Sequence, residues 1–394
     1  MSAVRHRPFV FSGHQAGLRN PEMSLGEKLW QINWVLVLLT SAIAAAGFAM
    51  LYSAANGNLE PWASRQMVRF GVGLAIMFAV ALIDVRFWFR HAYLLYAVGL
   101  GLLVAVEVFG ATGMGARRWI DLGVLQLQPS EIMKVALVLA LARYFHGVAA
   151  DEIGRLGIVF GGVVLILAPA ALVLKQPDLG TAMVLVMVGA AVMFCAGVRL
   201  WKFAAVGAAG LAAIPVGWQF LHEYQKQRVL TFLNPENDPL GSGYHILQSK
   251  IALGSGGMFG KGFLQGTQSH LNFLPEKQTD FIFTMFGEEF GMVGGLALLG
   301  VYALLLGYGI AIALRSRSQF GRLLAMGLVC NIFFYVFVNI AMVMGLIPVV
   351  GVPLPLISYG GTAMLTVMGS LGLIMSVYIH RDVRIPRRGL VDEL

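Results

Sequence analysis

Long apolar runs broken by short polar turns fill most of the chain. Runs long enough to cross the ~30 Å of bilayer hydrocarbon fall near residues 32–53, 66–84, 92–112, 131–146, 156–174, 181–197, 201–221, 283–313, 323–347 and 357–379. The pattern predicts an all-α polytopic membrane protein with about ten transmembrane helices, the fourth and sixth of them short. On this reading residues 1–31 form a polar, basic N-terminal segment, 32–380 the membrane domain and 381–394 a short basic tail. The first apolar run is long enough to span, so no cleavable signal peptide is expected. Between the seventh and eighth runs lies one long polar segment, about 222–282. Loops of such length in compact proteins tend to be functional or disordered. This one holds Pro235, Pro239, Pro275, many glycines and amphipathic stretches such as 244–252, and is expected to be ordered against the membrane surface.

An even number of spans puts both termini on one side, and the positive-inside rule chooses that side. The loops sharing a side with the termini hold 17 of the 28 Lys and Arg residues, and the short loops opposite hold 6. Both termini are therefore expected to be cytoplasmic and the long segment extracytoplasmic. Composition agrees with a membrane chain: of 394 residues, 58% are hydrophobic and 12% charged, about half the charged fraction of a soluble domain. This excludes an ordinary water-soluble enzyme, a disordered chain and, despite a net charge of +8, a nucleic-acid binder. Cys195 and Cys330 both sit in apolar runs, where a structural disulfide is not expected, and eight scattered histidines without HExxH spacing give no zinc signature.

Polar groups at membrane depth are costly and are functional-site candidates by default. Four clusters stand out, all at the outer edge on this topology. Asp280 ends a polar run and directly precedes an apolar helix. There it serves either as an N-cap or as a general base whose pKa is lifted by partial desolvation. Glu131 and Lys134 follow Pro129 at a helix start and share one helical face. They form an ion pair that tolerates the bilayer edge, or a polar cavity wall with Lys134 available to a phosphate. Asp178 sits in a turn with Pro177 and Gly180 that turn chemistry alone explains. Arg65 and Arg69 lie at the outer mouth of the second span, as snorkelling side chains or as partners of an anionic headgroup.

Three further stretches need weighing. The glycine-rich run 254–262 lacks the Ser or Thr that a phosphate loop needs after its lysine, since Gly262 follows Lys261; its glycines permit close backbone approach. Glu288 and Glu289 suit packing or capping at least as well as substrate contact. The uncharged stretch 345–361 contains Pro348, Pro353 and Pro355, so its non-helical backbone must be buried in protein or line a cavity.

Several motifs, taken in order, carry a resemblance. They are GARRWIDLG at 115–123, QPSE at 128–131, QPDLGT at 176–181, QKQRVL at 225–230, DPLGSGYH at 238–245 and QSKIALGSGG at 248–257. FLPE and TDFIF within 273–283, GEE at 287–289 and PLPLISYGG at 353–361 complete the series. Over about residues 30–381 the chain resembles the SEDS family of bacterial shape, elongation, division and sporulation proteins. The Gly-Thr-Gln268 ahead of FLPE favours its elongation branch. One departure is visible: the family usually has His before the Thr-Asp pair, where this chain has Gln278.

The resemblance implies a peptidoglycan glycosyltransferase of the bacterial inner membrane, serving cell elongation and rod shape. It would polymerise lipid II into β-1,4 glycan strands and release undecaprenyl pyrophosphate. It implies Asp280 as the catalytic residue, a general base in an inverting displacement, and Glu131, Lys134, Asp178, Arg65 and Lys277 as substrate-binding residues. No tightly bound cofactor is expected; the metal is unassigned, with a divalent cation, Mg or Mn, open at the pyrophosphate. The implied partners are lipid II, a class B penicillin-binding protein (a transpeptidase), other membrane proteins of the elongation complex and membrane lipids. Two other readings fit the composition, a lipid II flippase and a scaffold for the transpeptidase. A flippase should present polar groups along the full depth of its path, whereas these clusters gather at the outer edge.

Overall fold

The computed structural model describes residues 23–113, 116–121, 123, 126–149, 151–220, 226, 230–232, 242–270 and 276–386. Most of the stretch 221–241, residues 271–275 and the outer parts of both terminal segments, with the motif residues they carry, lie outside these. A short helix α1 (Leu25–Trp30) leads into α2 (Trp34–Ala54), α3 (Ala63–Leu82) and α4 (Val85–Phe109). After a small sheet come α5 (Pro129–His146), α6 (Leu156–Lys175), α7 (Leu179–Ala196) and α8 (Leu200–Phe220). The long outer segment contributes α9 (Ser242–Gly256) and α10 (Thr267–His270), and the chain closes with α11 (Ile282–Arg315), α12 (Gln319–Val343) and α13 (Gly361–Ile379).

Among the described residues, eight helices are long and apolar enough to cross a membrane. The other two expected spans are helical as well. α5 falls short on apolarity because Glu131, Lys134 and Arg143 share its 18 residues, and α8 offers Leu200–Ala213 as its apolar stretch. Local chemistry sets the ends. Asn33, Asp84, Asp178 and Ser318 each cap a helix by accepting a backbone N–H, which satisfies amides with no partner in the first turn. Pro129 opens α5, where its missing N–H costs nothing.

The structure departs from an all-helical reading at one place. Strands β1 (Ala111–Gly113), β2 (Ala116–Asp121) and β3 (Gln126–Leu127) form a three-stranded antiparallel sheet in the order β1-β2-β3. The third apolar run therefore ends as helix at Phe109. Beyond it, Gly110 and the alternating residues of Arg-Trp-Ile-Asp suit a turn and a strand with different faces.

α5, α7, α12 and α13 form the buried centre. α5 is enclosed almost all round, from Pro129 to His146, and α12 packs on α5, α7, α11 and α13. The amphipathic stretch 244–252 lies within α9. Its buried residues Ile246, Ser249 and Ala252 face protein: Ser249 Oγ lies 2.8 Å from Thr284 Oγ1 and donates to the Val343 carbonyl at 2.8 Å.

α11 is interrupted at Gly291, whose φ of 68° and ψ of −167° leave the helix. The break frees backbone N–H groups just beyond it, and the glycine-rich loop after α9 takes them up. Gly257 and Met258 carbonyls accept from Met292 and Val293, while Lys261 and Gly262 donate to the Glu288 and Glu289 carbonyls. The approach needs glycine: a Cβ on Gly260 would lie 2.1 Å from the Glu289 carbonyl oxygen, and one on Gly291 2.3 Å from the Gly260 nitrogen. The side chains of Glu288 and Glu289 complete the fastening. Buried Glu288 accepts from Lys261 Nζ at 2.8 Å and the Gln268 amide at 2.9 Å, and Glu289 accepts from Ser53 and the Leu264 amide. Both carboxylates therefore tie loop to helix.

Candidate active site

Four segments meet ahead of α11: the turn 276–280, the start of α7, the middle of α12 and the proline-rich loop 346–360. The last of these holds the first by its backbone. The Tyr359 amide donates to the Gln278 carbonyl at 2.8 Å. The Ser358 hydroxyl donates to the Thr279 carbonyl at 2.6 Å. Asn339 Nδ2 donates to the Asp280 carbonyl at 2.9 Å and to the Val352 carbonyl at 2.7 Å. Three consecutive carbonyls, 278 to 280, are thus fixed from outside the turn, and the Asp280 side chain inherits that position.

Asp280 does not cap α11. Phe281 is the cap residue and no side-chain capping bond is made there. Asp280 Oδ2 instead points toward Gly351, where a Cβ would lie 3.3 Å from it; Gly351, at φ 71°, also needs glycine for its backbone. The carboxyl pKa is raised to about 6, by burial first and then by the nearby Glu276 and Asp178 carboxylates. A carboxylate lifted toward neutral pH is a competent proton acceptor. Lys277 next to it is buried, and burial lowers its pKa.

Asp178 does what a turn aspartate does. It accepts from the Thr181 amide at 3.1 Å and the Thr181 hydroxyl at 2.9 Å, and Arg118 Nε stands 4.0 Å from its Oδ2. Arg118 also donates to the Gln176 carbonyl at 3.1 Å and to the Pro177 carbonyl. The GARRWIDLG and QPDLGT motifs are therefore one clamp. Gly180 lies hard against the 346–360 loop, since a Cβ there would be 2.5 Å from the Val350 oxygen.

Glu131 and Lys134 pair at 2.7 Å deep in the bundle, both almost inaccessible. Tyr335 from α12 donates to Glu131 Oε2 at 2.5 Å and contacts the Lys134 ammonium. The lysine thus has two protein partners and is engaged inside the bundle, which does not favour a direct phosphate contact. Tyr335 and Asn339 are one turn apart on α12, so a single helix face links this pair to the Asp280 anchor. Arg65 lies apart from them, exposed at the start of α3. Its neighbour Gln66 is fully buried and donates to the Ser358 carbonyl at 3.0 Å, and Arg69 stacks over the Tyr359 ring at 4.6 Å. Among the described residues no three His, Cys, Asp or Glu side chains gather as metal ligands.

Asn339, Tyr335, Ser358 and Gln66 are absent from the sequence-based candidates. A signal was available on α12, where Asn331, Tyr335 and Asn339 recur every four residues inside an apolar run. Such a polar stripe at membrane depth faces the bundle interior.

Comparison with known proteins finds similarity along almost the whole chain. A family model described as cell cycle protein, FTSW_RODA_SPOVE, matches residues 29–383. The peptidoglycan glycosyltransferase MrdB of Escherichia coli strain K12 is 51% identical over 282 residues, covering 71% of this chain and 75% of its own. Stage V sporulation protein E of Bacillus subtilis is 37% identical over 360 residues, covering 87% and 96%. A chain in a structure on the coordination of polymerization and crosslinking by a peptidoglycan synthase complex superposes with a TM-score of 0.77 at 36% identity, covering 89% of this chain and 98% of that one. The Thermus thermophilus rod shape determining protein RodA superposes with a TM-score of 0.68 at 34% identity, covering 89% and 97%.

Proposed function

Because the chain belongs to the FtsW, RodA and SpoVE family of cell cycle proteins, we propose that it is a peptidoglycan glycosyltransferase that polymerises lipid II in the bacterial inner membrane, with Asp280 as its general base. The observation that carries the site assignment is the state of Asp280. It is anchored through three backbone carbonyls, takes no part in capping and has its pKa raised to about 6.

Lipid II carries an α-linked pyrophosphate and the glycan product is β-linked, so the displacement inverts the anomeric carbon. Asp280 accepts the proton of the acceptor 4-hydroxyl as that oxygen attacks the donor sugar. Such general-base assistance contributes roughly 10²–10⁴ in rate. The bond to the undecaprenyl pyrophosphate breaks as the new glycosidic bond forms. Exposed Arg65 and buried Lys277 are the cations suited to the leaving charge. Lys277 gains from an anionic neighbour because burial disfavours its charged form. Glu131, Lys134 and Tyr335 hold the cavity wall, and Asp178 holds the start of α7 against it. A divalent cation, Mg or Mn, would arrive with the pyrophosphate and neutralise part of its charge.

The excess of Lys and Arg on the loops that flank the termini supports cytoplasmic termini and an outward-facing Asp280. A class B penicillin-binding protein is the proposed partner; the likeness to a chain from a peptidoglycan synthase complex supports it. The test is polymerisation of labelled lipid II by wild type and Asp280→Asn, each purified with the transpeptidase. Polymer from wild type and none from a folded, partner-binding variant is the expected result. Normal polymerisation by the variant would overturn Asp280 as base. Transport of lipid II across liposomes without polymer from either protein would favour a flippase.

A further inference from the structure

The end of the bundle away from Asp280 holds a polar cavity, about 370 Å³ in volume. It lies where α5 and α7 end, where α12 begins and where the segment after α13 folds back. Arg317, Arg322 and Arg384 line it, with Ser318, Gln319 and His146. No carboxylate is among the lining residues. Asp382 pairs with Arg317 at 3.2 Å, and among the described residues no carboxylate pairs with Arg322 or Arg384.

Two observations specify an occupant. The arginines converge from two separate segments, and their guanidinium forks match the paired oxygens of an anionic group such as a phosphate. The α12 N-terminus opens on the same space, adding the positive end of a 25-residue helix. At this end of the bundle Phe194 on the last turn of α7 is 52% exposed and Leu314 on the last turn of α11 is 64% exposed, so apolar surface is available a few residues before lining residues of both segments.

We propose that this cavity binds the headgroup of an anionic phospholipid. Its phosphodiester lies among Arg317, Arg322 and Arg384, and its acyl chains run along Phe194 and Leu314. Basic pockets between membrane helices are suited to such headgroups, and 370 Å³ lies within the range of small-ligand sites, about 300–1,000 Å³. The occupant belongs to the leaflet at the end of the bundle opposite the glycosyl-transfer site, and its recognition does not depend on that chemistry.

The test is native mass spectrometry of the full chain released from nanodiscs of mixed phosphatidylglycerol and phosphatidylcholine. Wild type is compared with an Arg322→Gln, Arg384→Gln double variant and with Arg90→Gln, Arg155→Gln, which removes the same charge from exposed positions elsewhere. We expect wild type and the Arg90, Arg155 variant to retain one phosphatidylglycerol, and the Arg322, Arg384 variant to bind it at least tenfold more weakly. Equal loss in both variants would overturn the proposal by reducing the effect to general surface charge. Unchanged retention in the Arg322, Arg384 variant would overturn it directly. In a third arm, inorganic phosphate is added to the lipid-loaded protein; complete displacement of the lipid at millimolar phosphate would overturn the lipid assignment in favour of a free anion.

Discussion

Asp178 and Asp280 occupy the same kind of place in the chain, an aspartate in a short polar turn just ahead of an apolar helix. Their carboxylates end in opposite states. Asp178 accepts from the Thr181 amide and hydroxyl and has Arg118 beside it, so its lone pairs are engaged in holding a helix start. Asp280 leaves the cap position to Phe281, and its turn is held through carbonyls by Tyr359, Ser358 and Asn339. Capping uses the very oxygens that would accept a proton. Asp280 is left without a capping task because carbonyls of its own turn carry the anchoring bonds, which is the state the proposed base requires.

The comparison breaks most sharply at the carboxylates themselves. Asp280→Asn should cut lipid II polymerisation by roughly 10²–10⁴. Asp178→Asn should leave most of the activity, because asparagine caps about as well as aspartate. Equal losses in a polymerisation assay would erase the distinction. Next comes the anchor. Asn339→Leu strips two carbonyls of their donor, at a cost of about 1–3 kcal/mol in thermal or denaturant unfolding. Displacing the base should slow polymerisation by up to about 100-fold while lipid II binding survives.

Titration gives a smaller, graded effect. With Asp280 at about 6, polymerisation should rise about tenfold per pH unit below 6 and level off above it. The sign for stability is the reverse. The folded protein holds the Asp280 proton more tightly than the unfolded chain, whose carboxyl has its ordinary value of 3.8. Stability should therefore fall as pH rises from about 4 to 6, and Asp280→Asn should remove that slope from unfolding curves. The smallest effect belongs to Gln278→His. The carbonyl of residue 278 makes the anchoring bond, and its side chain only approaches Glu276 at 3.4 Å, so activity should stay within about twofold, as for substitutions away from packed or bonded features.

These contrasts also mark what the amino-acid order made legible. The spans were readable because hydrocarbon thickness imposes a length on every crossing helix, and Asp280, Glu131, Lys134 and Asp178 because charge at a bilayer edge is conspicuous. The choice between cap and base was not readable, since both readings need an aspartate before a helix. It depends on Asn339 and Ser358, which lie 59 and 79 residues from the carbonyls they hold and are neutral, so they leave little trace in hydropathy. Tyr335 likewise meets Glu131 across 204 residues. The sheet at 111–127 was hidden for a different reason: three strands of two to six residues are too short for a period to register.

The interruption of α11 at Gly291 has a mechanical side. A continuous helix of 34 residues would be a lever about 50 Å long, and a slight tilt at one end would be magnified at the other. Here the loop 256–262 is bonded on both sides of the break, to the Glu288 and Glu289 carbonyls before it and to the Met292 and Val293 amides after it. The break is therefore a splice held by one clasp. Any tilt of the longer arm, 292–315, has to strain that clasp before it reaches the turn that carries Asp280.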